Sequence, residues 1–464
     1  MSTYSSIAKS QDPSLDWANW PERFYMICKE SFAEIWSSYG IDGVIMLLEG
    51  DCTGSTIGGH VASYVSDAQE TVDIIRSCLS NDTVSSEKIN DFLQGFFRAN
   101  DDDTCTEVLS SLVKVSAGDS SVRVLRHAPF NGKTWQLVDQ MPGRFLDEYW
   151  EKVYVPLKKY SMAEAGKLVN NLLRVGRPWD AFFALRADYD RVGTIHLRRL
   201  LKGVTASNLG QIGYSENVIY YLPKALESLS KRSGISTEEM AQLEFASIDL
   251  IPPRECNVPN LENQIEESPL MFVYLLSLVT ERRSVGQDPA EWHVEDQILK
   301  RILGRRAYSL FEALRRLPGQ DDNGEINLSV LTDWISEARR LAFEHGRIGI
   351  CDQQIGQWLS RLPAREDAPW PSRTICKVLE SICSDEVASG FSMGVFNARG
   401  STSRRSYEGG MQEWDLAAKY RLWAEAWMIE FPFVSKIIDS IADRYERDAA
   451  REDHEAEARR RLDL

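Results

Sequence analysis

Residues 161–186 constrain the fold of this chain more than any other stretch. Ser161 opens them with Glu164 three residues later, the spacing of a capping box. Leu168, Leu172 and Leu173 then recur on one helical face. Gly176-Arg177-Pro178 interrupts the pattern, and Pro178 is placed to start a second helix, where a missing N–H is harmless. Ala181, Phe182 and Leu185 form the facing stripe, and small residues at Ala165, Gly166 and Ala181 allow close approach. Such a hairpin is tetratricopeptide-like. A unit of this kind cannot bury its apolar faces alone and needs stacked neighbours.

Helical spacing continues on both sides. Trp20, Phe24, Ile27, Ile35 and Trp36 mark a first helix stopped by Gly40, and residues 43–48 form a short apolar one. The Gly-rich residues 50–59 read as a helix–helix turn: no Gly-Lys-Ser/Thr follows, so they are no phosphate loop. Helices are expected over residues 60–79, 86–98, 104–115, 134–140 and 144–153, with Tyr149, Trp150 and the following Tyr154 as an aromatic cluster. Asp101-Asp102-Asp103 reads as a cap region favoured by the helix dipole. Further pairs are drawn between residues 192–204 and 215–228, and between 237–248 and 269–279. Their periods are irregular, as in a degenerate solenoid. The β-like run at residues 217–222 has helical neighbours and reads as buried helix.

Ile251-Pro252-Pro253 breaks the pattern. Residues 318–324 form a loop that fails as an EF-hand: with Gly324 at position six, Gly319 and Val330 replace both anchoring carboxylates. Helices follow at residues 328–345 and, after a Pro-rich breaker, at 372–384. The C-terminal part opens on the Gly/Ser/Arg-rich connector 397–405 and continues as two long helices, 411–430 and 432–462. Trp414, Tyr420, Trp423, Ala424, Trp427 and Met428 are expected largely on one face of the first; Phe433, Ile437, Ile438, Ile441 and Tyr445 form the stripe of the second. Beyond Tyr445, Glu455 with Arg459 and Glu457 with Arg461 support a solvated helix end.

The expected fold is therefore all-α: an irregular helical-hairpin array, an α-solenoid of tetratricopeptide or HEAT-like type, ending in a long αα-hairpin. Its lobes are placed at residues 1–160, 161–320 and 321–464. A formal charge of −16 disfavours broad nucleic-acid or anionic-membrane binding. Eight scattered cysteines without a CxxC pair point to reduced thiols and a cytoplasmic location. No signal peptide is read at the N-terminus, and no apolar run approaches the ~20 residues a membrane span needs.

Chemistry-bearing motifs are absent from the sequence. The six histidines form no HExxH pair, no Gly-x-Ser-x-Gly elbow is present, and no Cys/His spacing fits zinc. No catalytic residue, metal ligand or cofactor is assigned. Recurrent arginine pairs read mostly as helix-end residues that favour the dipole. Arg399, Arg404 and Arg405 stand apart, because guanidinium groups in a Gly/Ser-rich loop suit bidentate capture of carboxylate or phosphate. They are the candidate binding residues. The competing reading pairs Arg399 with a helix carboxylate, Glu408 or Glu413.

From Ser161 onward, Leu172-Leu173-Arg174-Val175-Gly176-Arg177-Pro178, Trp334 with Ala338-Arg339, Trp370-Pro371 and Tyr407-Glu408-Gly409-Gly410-Met411-Gln412-Glu413 with Leu416-Ala417 follow in order. This order resembles the C-terminal helical-repeat regions of large bacterial signalling-NTPase and antiphage-defence proteins. The resemblance implies a helical sensor or scaffold whose enzymatic domain lies elsewhere, with an NTPase or effector subunit, or a phage protein, as partner. The chain lacks the NTPase phosphate loop and effector domain of such proteins, which implies a separate subunit or a fragment. Two functions are expected in order: a non-enzymatic protein-binding scaffold or sensor, then a cryptic enzyme or nucleotide-binding protein with a composite site.

Overall fold

A computed structural model describes residues 20–115, 118–186, 188–207, 216–282, 286–364, 368–400, 403 and 408–462. Among these residues the chain is all-α, with 22 α-helices, short 3-10 turns and no strand. The only extended pairing described is an isolated bridge, Gln320 to Ile326. The chain divides into two compact units, residues 1–207 and 208–464.

Unit 1 holds α1 (Trp20–Glu49), α2 (Gly54–Tyr64), α3 (Ala68–Leu79), α4 (Ser86–Ala99), α5 (Asp102–Val115) and α6 (Asp119–His127). It continues with α7 (Gly132–Asp139), α8 (Gly143–Lys152), α9 (Met162–Arg174), α10 (Pro178–Ala184) and α11 (Thr194–Ala206). From α2 to α8 each helix packs on the one two further along, α2 on α4, α3 on α5, α4 on α6, α5 on α7 and α6 on α8. This is the stacking expected of a solenoid, in which each helix finds its buried face only against its neighbours.

The hairpin of α9 and α10 forms as its residues dictate. Ser161 and Glu164 make a full capping box, and Gly176 takes a left-handed φ of 74° at the turn. Pro178 starts α10, and Leu168, Leu172, Ala181 and Phe182 are buried. Before it, Trp135, Tyr149 and Trp150 form the aromatic core, with the Trp135 and Trp150 rings 5.5 Å apart. Tyr154 is not part of it and stands exposed.

Several sequence boundaries move. The expected helix at 60–79 is two helices, because Val65 is extended and Asp67 caps a new start by accepting from Glu70 N. The Gly-rich run 50–59 is a turn only as far as Thr53; from Gly54 it is helix. Gly54 and Gly58 of this run serve packing. A Cβ on Gly58 would lie 2.1 Å from the Phe92 carbonyl oxygen, and one on Gly95 would lie 2.1 Å from that of Ser55. Only glycine lets α2 and α4 approach this closely. Asp101 behaves as a cap, accepting from Thr104 N at 2.8 Å.

Unit 2 holds α12 (Glu216–Ser230), α13 (Thr237–Ser247), α14 (Pro259–Glu267), α15 (Pro269–Val279), α16 (Gln297–Ala313) and α17 (Leu328–Glu344). It ends with α18 (Ile348–Leu359), α19 (Arg373–Ile382), α20 (Asp385–Arg399), α21 (Met411–Trp427) and α22 (Pro432–Leu462). The run 217–222 is helical, inside α12. Helix α13 packs on α14 and α16; the expected partner of 237–248 was residues 269–279, but α14 intervenes in the chain. Phe272, Trp334 and Trp358 meet in the core, and Trp334 Nε1 donates to the Ile265 carbonyl at 2.8 Å. A second glycine crossing joins α18 to α20: a Cβ on Gly390 would lie 2.0 Å from the Gln353 carbonyl oxygen.

Two of the arginine pairs depart from the helix-end reading. Arg305 and Arg306, inside α16, both bond the buried Asp249 carboxylate. Arg339, inside α17, grips buried Asp352 through Nε at 2.8 Å and Nη2 at 3.2 Å. A buried carboxylate demands a charged partner, and that demand overrides the dipole preference.

Candidate protein-interaction surface on the terminal hairpin

Arg399 is the last residue of α20, so the expected connector begins only after it. Its guanidinium bonds the Glu413 carboxylate on α21 and lies 5.3 Å from the Tyr445 ring centre on α22. Glu413 is 1% exposed. Of the two proposed partners, Glu413 is the one Arg399 meets here, and the geometry fits the competing structural reading. Arg404 and Arg405 lie outside the described residues.

Around this ion pair the three helices close through aromatic rings. Tyr420 stacks on Tyr445 at 5.5 Å, and Phe396 packs on Tyr445 at 5.0 Å. Burial raises the Tyr445 phenol above its ordinary pKa, against the lowering effect of Arg399. At the open end, Gly410 presses on α22, where a Cβ would lie 2.2 Å from the Ala449 carbonyl oxygen. Asp453 accepts there from Gly410 N at 2.8 Å and from Trp414 Nε1 at 2.9 Å. Further along, Arg421 bonds Asp439, Asp443 and Glu446 of α22. These contacts fix the hairpin as a rigid platform.

Helix α21 is apolar on two faces. Ala417, Ala424 and Trp427 are buried against the fold. Met411 and Leu422 lie on the opposite face and are exposed, Leu422 by 66%, and Ile429, in the turn just past the end of α21, is exposed by 93%. Met428 beside them is exposed as well. The expectation that Met428 shares the inner seam is thus corrected, whereas Trp414 sits at the seam's edge, its ring half exposed and its Nε1 bonded to Asp453 of α22. At 100° per residue Trp414 lies about 60° around the helix from Ala417 and about 140° from Trp427, at the edge of the buried face, which leaves its ring half exposed. The spread of large apolar residues to more than one side of α21, Met411 and Leu422 among them, was the sequence signal for this second face.

Among the described residues no group of three His, Cys, Asp or Glu side chains is placed to hold a metal. Burial pushes the thiols of Cys78 and Cys376 up to about 12 and those of Cys105 and Cys256 to about 11, so they stay protonated near neutrality. Among the described residues no helix is long and apolar enough to cross a membrane.

No family model matches the chain, and neither a curated protein nor a solved structure matches it.

Proposed function

We propose that the chain is a non-enzymatic, protein-binding scaffold or sensor subunit that docks a protein on the outer face of α21. The observation that carries this reading is the exposed apolar set Met411, Leu422 and Ile429, along and just past the end of α21, a helix whose other face packs on α22. An exposed row of large apolar side chains favours association, since covering each contributes about 1.5–3 kcal/mol. A preformed platform also keeps the ordering cost of binding low. The resemblance adds the setting: a cytoplasmic bacterial antiphage-defence assembly, with an NTPase or effector subunit, or a phage protein, as the docked partner.

The test replaces Leu422 and Ile429 with glutamate and checks by circular dichroism that the fold persists. A partner recovered in fixed stoichiometry, then reconstituted from purified components, should bind the native chain and lose at least tenfold in affinity for the variant. Unchanged affinity overturns the reading. Self-association of the native chain that disappears in the variant would make a second copy the occupant and overturn the hetero-partner. Turnover of a nucleotide by the purified chain would instead favour the enzyme reading.

A further inference from the structure

Unit 1 carries a cleft of about 1150 Å³ between the outer face of α4, the C-terminal end of α6 and the segment after α8. It is larger than the ~300–1,000 Å³ typical of small-molecule sites. Its charge runs against that of the chain. Arg98, Arg123, Arg126 and Lys152 line it with a single carboxylate, Asp102, in a protein of net charge −16.

The cations are held apart from the acids that elsewhere neutralise arginines in this fold. Arg123 is anchored, donating from Nε to Asn90 Oδ1 at 3.0 Å and from Nη2 to the Ser86 carbonyl at 2.7 Å. Both acceptors are neutral, so its charge is uncompensated. Arg98 and Arg126 make no ion pair among the described residues. Lys152 is the exception, paired with Glu148 at 3.1 Å. Burial and Arg126 both lower the Arg123 pKa, and burial with Arg126 and Arg123 lowers that of His127 against the opposing pull of Asp91. Like charges crowded at this cost favour an anion arriving from outside.

The shape says which anion. Ser86, Asn90, Gln94 and Arg98 recur every fourth residue along α4 and all line the cleft, a ridge about 18 Å long at 1.5 Å per residue. Their spacing is about 6 Å, close to the two-residue repeat of an extended chain at ~3.3 Å per residue. Such a ridge matches about five residues of extended peptide, with side-chain amides able to meet peptide groups. The remaining wall is apolar: Phe97, Pro129, Phe130, Val153, Pro156 and the exposed Tyr154. A bare phosphate has no use for that wall, and nucleic acid is repelled by the overall charge.

We propose that this cleft binds an extended peptide segment of a partner protein, one that alternates acidic with apolar side chains. The inference rests on reading the chain as a protein binder, but on a different unit from the terminal hairpin. Carboxylates of the peptide meet Arg98, Arg123 and Arg126, and its apolar side chains pack on the Phe97, Phe130 and Tyr154 wall. The partner's main chain runs along the α4 ridge.

The experiment uses the full chain and a short fluorescent peptide of alternating glutamate and leucine, read by anisotropy. Binding should appear at low salt and weaken as salt is raised. Arg98→Ala and Arg126→Ala should each weaken it about tenfold, the cost of about one charge-assisted hydrogen bond. Neither arginine is part of the core, so the fold persists. A lysine–leucine peptide should not bind, and the Leu422/Ile429 hairpin variant should bind the acidic peptide as the native chain does. No binding of the acidic peptide overturns the inference while leaving the hairpin reading intact. So does equal binding by the arginine variants. Displacement of the peptide by ATP or by inorganic pyrophosphate at comparable concentration would assign the cleft to a phosphate ligand and overturn it too.

Discussion

Two adjacent glycines on α2 should respond to the same substitution with opposite signs. Gly58 faces α4, where an added Cβ would lie 2.1 Å from the Phe92 carbonyl oxygen and 2.7 Å from the Phe96 nitrogen. Both are backbone atoms of a rigid helix, so relief requires the helices to separate by about 1 Å. Overpacking of this kind costs up to about 3 kcal/mol. Alanine's higher helix propensity returns about 1 kcal/mol, leaving Gly58→Ala destabilising by about 2 kcal/mol. Gly59 has nothing within 4 Å of its Cβ position and an ordinary helical φ, so Gly59→Ala should stabilise by about 1 kcal/mol. Urea unfolding followed by circular dichroism reads both. With a slope of about 2–3 kcal/mol/M, the unit 1 midpoint should fall by roughly 0.7–1 M for Gly58→Ala and rise by about 0.3–0.5 M for Gly59→Ala. Equal shifts in the two variants, or a neutral Gly58→Ala, would refute the close crossing of α2 and α4. A Gly58→Ala, Gly95→Ala double variant should cost less than the sum, because one separation relieves both clashes.

Leu172→Ala should cost about 2–5 kcal/mol, since Leu172 is fully buried in α9; an unchanged denaturant midpoint would show that the face is misplaced. Arg399→Ala should lower stability by about 3 kcal/mol, because the buried Glu413 carboxylate loses a charged partner, and Glu413→Gln in the same background should recover part of it, read as a double-mutant cycle by thermal unfolding. Unit 1 should lose stability as pH falls below about 6.5. Burial, with Lys29, holds His60 below that ordinary value, and burial, with Arg126 and Arg123, does the same for His127. The unfolded chain then protonates first, so the stabilisation is present above the unfolded pKa and lost as pH falls through the folded values. His127→Gln should flatten this dependence, and a melting temperature that falls equally in both proteins would contradict it.

Local signals in the chain determined most of its helices. Ser161 with Glu164 announced the capping box of α9, Pro178 the start of α10, and the periodic apolar residues placed α15 and α22 at their observed limits. These features are legible because a cap, a proline or a repeat acts within a few residues of itself. Helices α6, α14, α16, α18 and α20 escaped the reading, although Pro259, Asp296 and Ser384 mark the starts of α14, α16 and α20. The candidate site was legible only in part. Arg399 stood out by composition, yet what it does depends on Glu413, fourteen residues on, and on Tyr445 in another helix. Whether Trp414 is core or surface, whether Gly58 marks a turn or a crossing, and whether Arg123 faces a carboxylate or an open cleft are decided by which helix lies opposite. That choice belongs to tertiary packing, because burial and electrostatic pairing join residues whose separation along the chain carries no trace of their distance in space.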